Sequence, residues 1–184
     1  VDDIAWITNL RGADVSYNPV FLAHLLIGAD RATLFVGAGK IDAALAAALA
    51  ADGVALADYP GAGAALAALP KDAVLLVDPR RITLGFREQV AAGVRVIESM
   101  NPSTLAKSRK SAAELAFVRE AMAQDGAAMC AFYAWFDQAT APHRPFGAIT
   151  EVTIDEKLSA ERRKRPGYVG LIFPGSAGWN ANGA

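Results

Sequence analysis

The chain has 184 residues, of which 53% are apolar and 20% charged. That composition excludes a disordered chain and allows one generous domain or two small ones. A formal net charge of −1 removes a global electrostatic case for nucleic acid or an anionic membrane. The single cysteine rules out an internal disulfide framework and points to a reducing compartment. Roughly a fifth of the residues are alanine, the best helix former. Mean hydropathy is +0.24, which predicts some apolar surface in need of a cover. No apolar run approaches the roughly 20 residues of a membrane span, and no basic-then-apolar leader is read at the start. The ends, Val1-Asp2-Asp3 and Gly183-Ala184, read as a cut from something longer.

The first hundred residues predict alternating strands and helices. Ile4 to Ile7 is a short apolar run, and Asn18-Pro19 is a turn signal. Val20 to Ile27 is apolar, and Ala32 to Val36 is rich in strand formers. Gly37-Ala38-Gly39-Lys40 follows that strand and invites a phosphate-loop reading. It lacks the Gly that a dinucleotide fingerprint needs at Asp42 and the spacing of a P-loop, so a hairpin turn is the better expectation. Ile41 to Ala51 suits a helix stopped by Gly53. Val74 to Val77 reads as a strand buried on both faces, Arg87 to Ala92 as a short helix closed by Gly93, and Val94 to Ile97 as a further strand.

Around Asn101-Pro102 the composition turns polar and basic, and a domain boundary is drawn there: residues 1–101 and 102–184. Residues 1–101 carry 8 basic and 11 acidic side chains, net −3, and residues 102–184 carry 10 and 8, net +2. Ser111-Ala112-Ala113-Glu114 is a capping box. Apolar residues from Leu115 to Phe136 then recur at helical spacing, predicting a helix from Ala112 to Ala139 about 42 Å long. Gly126 on its apolar stripe suggests a close approach. Pro142 to Gly147 reads as loop. Thr150 or Thr153 can cap a second helix running to about Lys164, and Tyr168 to Phe173 reads as a strand before a Gly-rich tail.

Few groups suggest chemistry. Cys130 with His24 or His143 would make a nucleophile and base, but a thiol in mid-helix beside Met129 and Phe132 is better read as buried and inert. The run Arg162-Arg163-Lys164-Arg165 is the best nucleic-acid candidate, although cations also suit a solvated helix end. The two histidines follow no ligand spacing, and no complete metal site is read.

Several stretches together resemble a known family. Asp2-Asp3-Ile4-Ala5-Trp6, Asn9-Leu10-Arg11-Gly12-Ala13-Asp14 and Asn18-Pro19-Val20-Phe21 resemble the middle domain of the Xaa-Pro aminopeptidases. Lys110 to Leu115, Asp125-Gly126-Ala127, Thr150-Glu151 and Gly167 to Phe173 resemble the opening of that family's catalytic domain, and Asn180 to Ala184 resembles the loop before its His-Tyr pair.

The resemblance implies an α/β fold. Residues 1–101 would be a creatinase-like middle domain, a mixed sheet flanked by helices and incomplete at its start. Residues 102–184 would be the first helices and first strand of a pita-bread catalytic domain. It further implies a cytoplasmic metallopeptidase, commonly a homodimer, that removes the residue before a penultimate proline. Two divalent cations, usually manganese, would be held by two Asp, one His and two Glu. By this resemblance all five ligands lie beyond Ala184, so no metal and no activity are expected of these residues alone. Only Phe173 carries over to the active site, in the wall of the substrate pocket. A pita-bread peptide- or protein-binding module without ligands, and a prolidase-type dipeptidase, are the alternatives.

Overall fold

The computed structural model describes residues 1–141, 149–171 and 178. The chain forms two compact units: Val1–Val15 with Pro19–Arg109, and Ser16–Asn18 with Lys110–Ala184. The division falls a short helix beyond the Asn101-Pro102 junction, because Pro102 opens a helix there. Proline suits that first helical position, where its missing N–H has no partner to lose.

In the first unit, α1 (Asp2–Thr8) precedes a hairpin of β1 (Ala23–Ile27) and β2 (Ala32–Val36). The turn closes through the Gly28 N–H donating to the Arg31 carbonyl at 2.9 Å. The chain then crosses over through α2 (Ala43–Ala51) to β3 (Val54–Asp58). β2 lies in the middle, antiparallel to β1 and parallel to β3. The expected hairpin at Gly37–Lys40 is therefore a strand-to-helix connection. Asp42 decides the outcome: its carboxylate accepts the Leu45 N–H at 2.8 Å and caps α2, so the chain leaves the sheet. Gly53 ends that excursion at φ 77°, a conformation L side chains rarely adopt.

A 3-10 turn (Tyr59–Gly61) leads into α3 (Ala62–Ala67). β4 (Val74–Val77), α4 (Leu84–Gln89) and β5 (Arg95–Glu98) follow, with β4 and β5 parallel in a separate two-stranded sheet. Val74 to Val77 is not buried on both faces as expected: Val74 is 51% and Leu76 43% exposed, since among the described residues β5 is its one strand neighbour. α4 starts earlier than Arg87 because the Thr83 hydroxyl caps it, accepting the Phe86 N–H at 3.3 Å. α5 (Pro102–Ser108) ends the unit.

Its core joins Ala5 of α1, Leu49 of α2, Leu34 and Val36 of β2, Ala23 of β1, and Val20 and Phe21 of the segment before β1. Leu34 is wholly buried. Each such large side chain contributes about 1.5–3 kcal/mol on leaving water. Gly12 approaches this core so closely that a Cβ there would lie 2.7 Å from the Phe21 Cβ.

In the second unit, α6 (Ala112–Ala139) opens on the predicted capping box: the Ser111 N–H donates to Glu114 at 2.7 Å and the Glu114 N–H to the Ser111 hydroxyl at 3.2 Å. α7 (Glu151–Arg163) is capped by Thr150, whose hydroxyl accepts the Thr153 N–H at 3.2 Å. Tyr168 to Leu171, the described portion of the expected strand, is not in a ladder, and Val169 is 91% exposed. Cys130 is exposed, not buried, because Ala128 and Phe132 occupy the inward face of α6 instead. Among the described residues Gly126 meets no neighbour a Cβ would touch. Phe117 and Met122 also face outward on α6.

Candidate functional site

A cavity of about 920 Å³ in the first unit is lined by α1, β1, β4 and residues around α3, α4 and α5. His24 of β1 sits in its wall. The imidazole stacks on Tyr59 with centroids 4.7 Å apart and meets Phe86 edge-on at 4.6 Å. Burial pushes its pKa down, so the neutral ring is favoured. Cys130, its suggested partner in nucleophilic chemistry, belongs to the other unit. His143, the alternative base, lies outside the described residues.

Near this cavity the acidic residues at the start of the chain are engaged by cations. Lys107 of α5 lies 2.9 Å from Asp2 and 3.2 Å from Asp3, and Arg81 lies 3.2 Å from Asp2. The Lys107 hydrogen bond holds the Asp2 carboxyl down at about 2 and raises the Lys107 pKa in turn. This cluster fastens α1 to α5. Asp78, at the end of β4, accepts the N–H of Asn101 and of Arg80, each at 3.0 Å, and those two backbone bonds lower its pKa.

The glycine turn suspected of cradling phosphate is committed elsewhere. Lys40 folds over Gly37 and pairs with Asp14, which also accepts the Leu22 N–H at 2.7 Å. Both bonds lower the Asp14 pKa, the lysine bond most.

The basic run of the second unit is likewise occupied. Arg162 forks onto Asp125 at 2.6 and 3.2 Å, Lys164 bonds Glu161 at 2.8 Å, and Arg165 donates to the Ala127 carbonyl at 3.1 Å. Three of its four side chains therefore serve the unit's own structure. Glu161 is buried between Lys157 and Lys164, and their hydrogen bonds, Lys157 first, hold its carboxyl down at about 2. Lys157 also lies over the Trp135 ring, 5.7 Å from its centroid. The Lys157/Glu161 spacing of four was a legible sign of this clamp, whereas the Arg162–Asp125 fork links residues far apart in sequence.

These shifts decide what the groups can do. A general acid or base works best with a pKa near the operating pH. The carboxyls of Asp2, Asp14, Asp78 and Glu161 all move the other way, fixed as anions in structural bonds. Among the described residues no three His, Cys, Asp or Glu side chains assemble into a metal-holding group, so they do not fit a pair of divalent ions. Phe173, the sequence-based pocket residue, lies outside the described residues.

The first unit is a mixed α/β fold built on small sheets, with Asp2 and Asp3 fastening α1 to α5. Residues 1–114 match the Creatinase/Prolidase N-terminal domain, and the chain belongs to that family. It is 31% identical to Xaa-Pro aminopeptidase 1 of Dictyostelium discoideum over 185 residues, covering 100% of this chain and 29% of that protein. A probable Xaa-Pro aminopeptidase P of Coccidioides posadasii (strain RMSCC 757 / Silveira) is 33% identical over 94% of this chain, again 29% of its own length. The chain thus spans less than a third of the curated relatives it matches. The crystal structure of an X-prolyl aminopeptidase from Caenorhabditis elegans, described as a cytosolic enzyme with a di-nuclear active site, shares the fold. Its TM-score is 0.82 at 20% identity, over 94% of this chain and 28% of that one. Among the described residues no helix is long and apolar enough to cross a membrane.

Proposed function

We propose that this chain is the scaffold portion of a cytoplasmic, manganese-dependent Xaa-Pro aminopeptidase. The whole enzyme removes the N-terminal residue from peptides with a penultimate proline and works as a homodimer. The observation that carries this reading is likeness along nearly the whole chain to proteins bearing one activity in their names. Residues 1–101 form the creatinase-like middle domain and residues 102–184 the opening of the pita-bread catalytic domain, with Phe173 in the wall of the pocket for the substrate's N-terminal side chain.

In the whole enzyme a pair of divalent ions would supply an activated water and polarise the scissile carbonyl. The described residues here do other work. Asp2, Asp3, Arg81 and Lys107 hold the first unit's helices, Arg162 ties α7 to Asp125 of α6, and Lys164 clamps Glu161 at the end of α7. The test assays a polypeptide carrying this chain together with the region of the relatives it does not cover. Tripeptides with proline second should be cleaved in the presence of manganese and spared after chelation. Cleavage of dipeptides alone would identify a prolidase instead, and cleavage of neither would leave a binding module.

A further inference from the structure

We draw no further inference here: the strongest candidate, the apolar stripe that Leu115, Val118 and Met122 expose along α6, carries no proposal because nothing in the structure shows what covers it.

Discussion

The guanidinium of Arg162 grips both carboxylate oxygens of Asp125, at 2.6 and 3.2 Å, and so ties the end of α7 to the middle of α6. Two parallel bonds fix direction as well as distance. Both side chains keep some contact with water, which screens the pair to about 1 kcal/mol. Arg162→Lys keeps the charge but loses the fork. It should lower the unfolding free energy of the second unit by about 1 kcal/mol in thermal or urea unfolding, and the same substitution in an Asp125→Asn background should cost far less.

Glu161 makes the second unit sensitive to acid. Its ordinary value of 4.5 is lowered to about 2 by hydrogen bonds from Lys157 and Lys164. The folded chain therefore resists protonation where the unfolded chain accepts it. That contribution is full above pH 4.5 and is lost as pH falls toward 2. Glu161→Gln should flatten this limb of the stability profile, read by the helix signal between those two pH values.

His24 gives the first unit a milder dependence higher on the scale. Burial among Tyr59 and Phe86 lowers its pKa from 6.5, so the fold favours the neutral ring. Stability from this source is complete above 6.5 and declines as pH falls through the lowered value. His24→Phe should keep the ring packing and remove the decline, and an NMR titration of the histidine ring should place its midpoint below 6.5.

Leu34 tests the core directly. It is wholly buried on the central strand, packed with residues of α1, α2 and β1. Leu34→Ala should destabilise the first unit by about 3 kcal/mol, the usual cost of lost transfer energy plus a cavity.

Local signals made much of this fold legible. The run Ala32 to Val36 became β2, and Ser111 with Glu114 opened the long helix, because a capping box and an uninterrupted strand need no distant partner. β3 and α3 were not legible. Val54–Asp58 and Ala62–Ala67 are mostly alanine and small residues, whose pattern is the same for either state, and pairing with β2 decides the first of them. The Gly37–Lys40 turn was recognisable as a turn but not in its direction, which depends on the cap at Asp42. Cys130 defied its expected burial because helical period alone does not say which side of the stripe meets a neighbour. Of the candidate site, the Lys157–Glu161 clamp left a local sign in its spacing of four. The pairs of Lys107 with Asp2 and of Arg162 with Asp125 join distant regions of the chain and leave no local trace.

In the proposed function this chain is a scaffold, and the catalytic ions belong to other parts of the whole enzyme. Titrating the purified 184-residue chain with manganese, while following the free-ion resonance by electron paramagnetic resonance, tests that claim most directly. A scaffold predicts a free-manganese signal that rises in step with added metal, as in buffer alone. Stoichiometric uptake of one or two manganese ions by the chain, abolished by replacing its own carboxylates, would contradict it.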